Sequence, residues 1–238
     1  MELRFLTWPD VAEYLTNDDR LLLPIGSVEQ HGPRCAFGTD YLIAEALGKE
    51  VAERTNTIVA PSPSYGMSIH HLGFPGSATL QPSNMMRAYE DIIWSFRTAG
   101  FKRILIVNGH GGNVSTINCM LSEISNKWQE LKLKFKNWWD YEDVNTYIKR
   151  AFGDREGQHG TPGETSMMMY LFPGVIRQDR EVEFRSDPGA KFFTTYHEFQ
   201  RLYPNGLVGS DPNLATVEHG QQIFEACVTN LVKEMNDW

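Results

Sequence analysis

The apolar positions of the chain fall into short continuous runs and longer periodic stretches. Residues 21–25 form a short apolar run, and residues 102–107 are charged at their entry and then continuously apolar. Runs of this kind are typical of strands buried on both faces of a parallel sheet. Stretches in which apolar residues recur every three or four positions predict helices instead. The predicted helices cover residues 39–54, 84–99, 114–128, 164–172 and 214–235.

Two further segments complete a predicted sheet. Residues 57–60 are typical of a strand that ends at Pro61, and residues 131–135 alternate between apolar and basic side chains. Strands that alternate with helices predict an α/β fold with a mainly parallel central sheet. Residues 61–83, rich in proline, serine and glycine, are too long for a plain connector and predict an active-site loop. No linker, repeat or low-complexity tract is visible, so we expect residues 1–238 to form a single domain.

The composition narrows the classes of function. A net charge of −8 and a pI near 5.4, without any basic run, argue against a nucleic-acid-binding surface. The apolar runs are too short to span a membrane, and the N-terminal residues lack the apolar core of a signal peptide. Cys35, Cys119 and Cys227 are few and widely spaced, which suits a reducing compartment. We therefore expect a cytoplasmic protein with a small-molecule substrate and no nucleic-acid or membrane partner.

The first candidate metal ligands follow the first predicted strand. In an extended segment alternate side chains point to the same side, so Glu29 and His31 could face one metal ion while Gln30 faces away. Asp40 opens the first predicted helix, where an aspartate often serves only as a cap or as a partner of the helix dipole. Beside Glu29 and His31, Asp40 could instead bridge two metal ions, since one carboxylate can give an oxygen to each.

A second cluster follows the strand predicted at residues 102–107. Residues 108–113 are Asn-Gly-His-Gly-Gly-Asn, at the carboxyl end of that strand, where open α/β sheets bind their ligands. The glycines allow the backbone to approach closely beside His110. A phosphate-binding loop is the alternative, but the segment lacks the G-x-G-x-x-G pattern and the lysine of a P-loop. His110 is therefore a further candidate metal ligand.

The two clusters together offer carboxylates and imidazoles. This donor set suits zinc, manganese or iron(II) better than magnesium or calcium. Such ions lower the pKa of water and polarise a carbonyl group, which is the chemistry of hydrolysis. The residues alone therefore predict a metal-dependent hydrolase.

Several ordered blocks of the sequence resemble the creatininase (creatinine amidohydrolase) family. The resemblance extends from about residue 20 to about residue 175 and implies a three-layer α/β/α fold. It also implies two divalent metal ions (Zn, Mn or Fe) per chain, hydrolysis of a C–N bond, often in a cyclic amide, and a homo-oligomer, often a hexamer. The blocks that carry it are residues 23–33, Asp40, residues 71–77, residues 108–113 and residues 159–166.

Most of the family's metal ligands have a counterpart in this chain. The resemblance places Glu29, His31, Asp40 and His110 on ligand positions, with Asp40 as the bridge. Creatinine-hydrolysing members carry a further ligand glutamate two residues after the second histidine, where this chain has Gly112. Glu164 in the last block is the substitute we expect. It would act either as a ligand or as the base that orients the attacking water.

The resemblance also supplies candidates around the substrate. His159 matches a family histidine beside the substrate and is our candidate proton donor to the leaving nitrogen. Ser77 matches a substrate-contacting serine, and His71 could contact substrate or metal. Backbone N–H groups at Gly111 could stabilise the oxyanion. Arg155 stands where creatinine-hydrolysing members have a tryptophan, which argues against creatinine and would suit an anionic substrate.

We therefore predict a metal-dependent amidohydrolase that acts on a small cyclic amide or formamide other than creatinine. The alternative is a non-catalytic small-molecule binding protein on a creatininase-like scaffold with a degenerate metal site. Two aromatic features stay outside this prediction. Trp138 and Trp139 are expected in a core or interface, with a pocket wall as the alternative. Residues 184–203 are too irregular to predict a helix and could form a lid or an arm that packs on a neighbouring subunit.

Overall fold

The computed structural model describes residues 1–187, 189 and 195–238 and contains a four-stranded parallel sheet. The predicted α/β fold with a mainly parallel sheet is thereby confirmed. The strand order is β2-β1-β3-β4, so the two continuously apolar strands are central. The strands are β1 (Arg20–Ile25), β2 (Ile58–Val59), β3 (Arg103–Asn108) and β4 (Lys132–Asn137).

The strand register places the loops after β1 and β3 side by side. Ile25 lies opposite Asn108, and Asn108 lies opposite Asn137, so three strands end at one level. Both sequence clusters leave the sheet at this edge. The carboxyl edge of a parallel sheet is where such folds place their sites.

Helices cover both faces of the sheet, because strand side chains alternate between the two faces. Leu22, Leu105 and Val107 pack into one hydrophobic core, whereas Leu23 and Ile106 pack into the other. The first core is covered by α2 (Thr39–Thr55), α5 (Glu142–Phe152), α6 (Pro162–Leu171) and α8 (Val217–Asn236). The second core is covered by α1 (Trp8–Leu15), α3 (Pro82–Ala99) and α4 (Asn113–Lys127).

A further helix, α7 (Tyr196–Leu202), packs on the segment around His71 rather than on the sheet. The irregular pattern of residues 184–203 did not predict this helix. Thr195 caps this helix by accepting a hydrogen bond from the Glu198 N–H. Phe192 and Phe193 of the same predicted lid or arm lie outside the described residues.

No helix within the described ranges combines the length and the apolar character that a membrane span needs.

Candidate metal centre

Glu29 and His31 lie on the loop after β1 and are almost fully buried, at 0% and 1% exposure. They face the same centre, while the side chain of Gln30 between them is turned to other partners. This is the alternation expected of an extended segment. The two-residue spacing of Glu29 and His31 in an extended segment thus brings a carboxylate and an imidazole to one place.

Asp40 lies in the first turn of α2 and reaches both histidines. Its Oδ1 lies 2.9 Å from Nε2 of His31, and its Oδ2 lies 3.1 Å from Nδ1 of His110. The two oxygens of one carboxylate therefore serve two neighbouring sets of donors. This is the geometry that a bridging ligand requires.

Two asparagines hold the loop that carries His110. Asn108 Oδ1 accepts a hydrogen bond from the His110 N–H at 3.1 Å, and Asn108 Nδ2 donates to the His110 carbonyl at 2.7 Å. Asn113 Nδ2 donates to Asn108 Oδ1 at 3.1 Å, and Asn113 Oδ1 accepts from the Met67 N–H at 3.0 Å. The motif's asparagines thus fix His110 against the loop at residue 67.

Glu164 enters the site from the start of α6. Its Oε2 accepts the N–H of Thr161 at 2.8 Å, while Thr161 Oγ1 accepts the N–H of Glu164 at 3.0 Å, which forms a capping box. The other oxygen, Oε1, lies 3.7 Å from Nε2 of His31.

Gly112 stands where the family resemblance expects a ligand glutamate. A Cβ at Gly112 would lie 2.4 Å from the Met67 carbonyl oxygen, so a side chain does not fit there without rearrangement.

Three groups of residues place their donor atoms within 4.8 Å of one another. Two of them share the Asp40 carboxylate, Glu29, Asp40 and His110 as one donor set and His31, Asp40 and Glu164 as the other, and the third group is Glu29, His31 and His159. Glu29 Oε1, His31 Nε2 and Asp40 Oδ2 are buried without a hydrogen-bond partner among the described residues. Buried polar atoms are normally paired, so these atoms require a cation or protons.

The histidine rings are oriented as metal ligands usually are. His31 Nδ1 lies 3.1 Å from the Glu29 carbonyl oxygen, and His110 Nε2 lies 2.9 Å from the Met67 carbonyl oxygen. A carbonyl can only accept, so these nitrogens carry the hydrogen of a neutral ring. The lone pairs of the other nitrogens then point at Asp40. Orienting a ligand histidine through a carbonyl is a common arrangement around metals, and the residues fit divalent ions.

The pKa values of these histidines show how strongly the site attracts positive charge. Burial alone would lower the pKa of His31, but the Asp40 and Glu164 carboxylates raise it well above its usual value. Burial likewise opposes the charged form of His110, and Glu29 and Asp40 raise its pKa. Two imidazoles that attract protons so strongly also attract metal ions.

A cavity of about 530 Å³ opens beside the two donor sets. His159 lines it with Nδ1 at 3.4 Å from Glu29 Oε1, while its Nε2 donates to the Gln30 carbonyl oxygen at 2.6 Å. Burial lowers the pKa of His159, and repulsion from His31, whenever that ring is protonated, lowers it further. Six further lining residues are apolar or aromatic: Trp138, Trp139, Ile148, Phe199, Tyr203 and Val208.

The predicted substrate contacts fall into two groups. His71 and Gly111 line the cavity, with no atom within 4 Å of the position of a Cβ at Gly111. Ser77 lies behind the site, where its Oγ accepts the N–H of Gln30 at 3.2 Å. Arg155 lies outside the cavity lining, because its guanidinium donates to Asp211 at 3.0 Å and covers the Phe184 ring. No lysine or arginine lines the cavity in the part of the chain that the structure describes.

Sequence reasoning missed three residues of the site. Ser68 donates to Glu29 Oε2 at 2.5 Å. Glu156 lines the cavity, and its Oε2 accepts the N–H of Gly163 at 3.2 Å. Burial raises the pKa of Glu156 to about 8. Gln30 is the third, and its position inside a ligand motif is the signal that could have identified it.

Comparisons with known proteins point to one family. The family model for creatininase, described as creatinine amidohydrolase, matches residues 4–235. Creatinine amidohydrolase of Pseudomonas putida is 28% identical over 249 residues, covering 98% of this chain and 95% of its own. The mycofactocin precursor peptide peptidase of Mycobacterium ulcerans (strain Agy99) is 27% identical, covering 98% and 86%. A solved structure of creatininase with Mn is 29% identical, with a TM-score of 0.85 over 99% of this chain and 97% of that chain.

Proposed function

The chain belongs to the creatininase family, and from this premise we propose that it is a hydrolase with a binuclear metal centre. The observation that carries the proposal is the pair of buried donor sets joined by Asp40. Glu29 and His110 would hold one ion, and His31 and Glu164 would hold the other. Zinc, manganese or iron(II) suits these oxygen and nitrogen donors. Bound ions of this kind lower the pKa of water and polarise a carbonyl group.

The proposed substrate is a small cyclic amide or formamide. The similar proteins of Pseudomonas putida and Mycobacterium ulcerans are an amidohydrolase and a peptidase by name, which supports cleavage of a C–N bond. A cavity of about 530 Å³ suits a small ligand. The apolar wall and the lack of lysine and arginine among the described lining residues favour a neutral substrate over an anionic one.

Creatinine itself is not the substrate that we propose. Arg155 replaces the tryptophan that the family resemblance expects for creatinine, and its guanidinium is turned to Asp211. The stacking ring for creatinine is therefore missing at this position. The wall formed by Trp138 and Trp139 supports a different flat, uncharged ring or chain.

His159 moves the proton in the proposed reaction. Its Nε2–H is held by the Gln30 carbonyl, so Nδ1 is the nitrogen free to accept a proton in the cavity. A lowered pKa keeps His159 neutral at pH 7, ready to take a proton from water and pass it to the leaving nitrogen. Gly111 would place its N–H on the cavity wall beside the developing oxyanion.

Metal content tests the proposal first. Purified wild type is expected to hold two ions per chain by mass spectrometry, and Glu164→Ala is expected to fall towards one. Glu156→Gln is the matched control, because it removes a carboxylate from the same cavity but from neither donor set. The loaded protein is then assayed with cyclic amides and formamides for the gain of one water by the substrate.

Other results would contradict the hydrolase. One ion or none, unchanged by Glu164→Ala, would favour the non-catalytic binding protein with a degenerate metal site. Two ions with no turnover of any amide would contradict the substrate class alone.

We also propose a homo-oligomer, supported by the exposed apolar residues Phe5 and Trp8, at 76% and 82% exposure. Light scattering on the purified protein measures its mass in solution.

A further inference from the structure

Gln30 lies between two ligand positions but is not itself a ligand. It is buried, at 5% exposure, and its side-chain amide contacts His71, His159 and the backbone of residues 32 and 206. A buried amide that contacts two cavity histidines is placed to control which ring nitrogens carry hydrogen. The positions of its Oε1 and Nε2 atoms decide which group faces the histidines.

Two backbone contacts settle the orientation of this amide. Oε1 accepts the N–H of Gly32 at 2.8 Å, and Nε2 donates to the carbonyl of Gly206 at 2.8 Å. A backbone N–H can only donate and a backbone carbonyl can only accept, so a flipped amide would lose both hydrogen bonds. Nε2 therefore faces the histidines.

Gly206 allows this contact only because it has no side chain. Its φ is +77°, in the left-handed region, and a Cβ there would lie 1.9 Å from Gln30 Oε1. The loop around residue 206 thus approaches the amide as closely as a backbone can. The approach keeps one hydrogen of Nε2 on the Gly206 carbonyl.

The second hydrogen of Nε2 is directed at His71. Nδ1 of that ring lies 2.9 Å from Gln30 Nε2 and must accept, so it carries no hydrogen. The single hydrogen of the ring is then on Nε2, which lines the cavity side and lies 3.5 Å from Glu29 Oε1. His159 Nε2 lies 3.0 Å from the same amide nitrogen, but its own hydrogen is directed at the Gln30 carbonyl oxygen at 2.6 Å.

His71 therefore differs from the two ligand histidines. His31 and His110 give their N–H groups to backbone carbonyls and turn lone pairs towards Asp40. His71 gives its lone pair to an amide and turns its N–H towards the centre. A nitrogen that carries hydrogen cannot bind a metal ion.

We propose that Gln30 is a positioning residue that fixes His71 with its N–H turned towards Glu29 and the cavity, and so keeps it out of the metal ligand set. The N–H of His71 is then available to an acceptor atom of a bound substrate. That role towards substrate rests on the proposed function. The tautomer does not, so the two can fail separately.

Nitrogen-15 NMR of the zinc-loaded protein measures the tautomer directly, and zinc is suitable because it is diamagnetic. Long-range proton–nitrogen correlations distinguish ring nitrogens with and without hydrogen, and His71→Gln identifies the signals among the seven histidines. Wild type is expected to show His71 with hydrogen on Nε2 and none on Nδ1. Hydrogen on Nδ1 in wild type would overturn the proposal whatever the enzyme hydrolyses.

Gln30→Glu tests the cause. A carboxylate next to Nδ1 accepts instead of donating, so Nδ1 is expected to gain a hydrogen and its nitrogen signal to shift to the protonated type. Gln158→Glu adds the same charge to another residue of the cavity lining and should leave His71 unchanged. A folded Gln30→Glu protein with the wild-type His71 signals would also overturn the proposal. The wild-type measurement decides the tautomer even if this variant does not fold.

Discussion

One carboxylate, that of Asp40, would join the two ions of the proposed metal centre. Asp40 is 2% exposed, and each of its oxygens contacts a different histidine. Glu164 belongs to one donor set only. Residues that look equivalent as acidic groups in the sequence therefore differ in their expected effect on metal binding.

Asp40→Asn is expected to remove both ions, because an amide cannot supply two anionic oxygens to two cations. Glu164→Gln is expected to remove only one. Metal content by mass spectrometry measures both variants against wild type. Retention of one tightly bound ion by Asp40→Asn would contradict a bridging role.

His159→Ala is expected to leave the metal content unchanged and to lower turnover by about 10²-fold or more. The reason is that His159 Nδ1 faces the cavity while both donor sets are complete without it. His197→Ala, on the exposed side of α7, is the control. Loss of an ion from His159→Ala would make His159 a ligand instead.

The buried carboxyl of Glu156 predicts a pH-dependent stability. Burial raises its pKa to about 8, above the value of an unfolded glutamate, so the folded state binds more protons at intermediate pH. The contribution of Glu156 to the free energy of unfolding is therefore present at low pH and is lost as the pH rises from about 4.5 towards 8.

Glu156→Gln keeps a neutral side chain at all pH values and should remove that loss. We expect the unfolding free energy of the variant to gain about 3 kcal/mol on that of wild type between pH 5.5 and pH 8, because this range lies between the unfolded and folded pKa values and each pKa unit corresponds to about 1.4 kcal/mol. Urea unfolding at both pH values measures the difference. The exposed Glu181→Gln should show no such trend, and a constant difference for Glu156→Gln would contradict the raised pKa.

At the scale of elements, the start of α6 both begins a helix and positions a candidate ligand. Thr161→Ala removes the hydroxyl that accepts the Glu164 N–H and should cost about 1 kcal/mol of unfolding free energy. It should also weaken the binding of the second metal ion, because Glu164 loses its fixed orientation. Titration with zinc, together with urea unfolding, measures both effects.

Thr216→Ala provides the comparison on another helix. Thr216 caps α8 in the same way, accepting the His219 N–H at 3.1 Å, but contacts neither donor set. An equal loss of stability with unchanged zinc binding is expected. Equal zinc binding by Thr161→Ala would separate the cap from the metal site and contradict the coupling.

The helices that sequence reasoning missed show where local patterns are too weak. Over α5, Val144, Ile148 and Phe152 recur at the helical period and are buried, yet the helix was not predicted. Over α1, the capping box of Thr7 and Asp10 was a similar signal, but the helix exposes Trp8 and has no fully buried residue. Short helices of this kind are stabilised by tertiary packing more than by their own sequence.

The whole molecule brings together donors from four separate segments, so metal binding and folding are coupled. Each ion that binds the folded chain at 100 times its dissociation constant would add about 2.7 kcal/mol of stability. For a chain of this length that corresponds to a rise in Tm of about 5–10 °C per ion. Removal of both proposed ions with a chelator should lower the Tm of wild type by about twice this amount.

Asp40→Asn is the control for this experiment, because a chain that holds no ion should not respond to the chelator. Calorimetry on both proteins, with and without zinc, gives the comparison. A chelator effect of equal size on Asp40→Asn would place the stabilising ion somewhere else.

The candidate ligands Glu29, His31 and His110 could be named from the sequence because each lies in a short segment after an apolar strand, and the structure brings their side chains together. It could not predict the strand order β2-β1-β3-β4, which depends on pairing between distant residues. It also could not predict that Arg155 turns to Asp211, since that ion pair joins residues 56 positions apart. Local chemistry is visible in a sequence, whereas its long-range partners are not.

The contact between Gln30 and Gly206 has a consequence for biosynthesis. A ribosome makes the ligand loop early, but the carbonyl that holds the Gln30 amide follows 176 residues later. All the donor residues from Glu29 to Glu164 have been synthesised before that carbonyl exists. A nascent chain can therefore carry every ligand while the amide that orients His71 still lacks its partner. The arrangement of histidines is completed only after residue 206 has been synthesised.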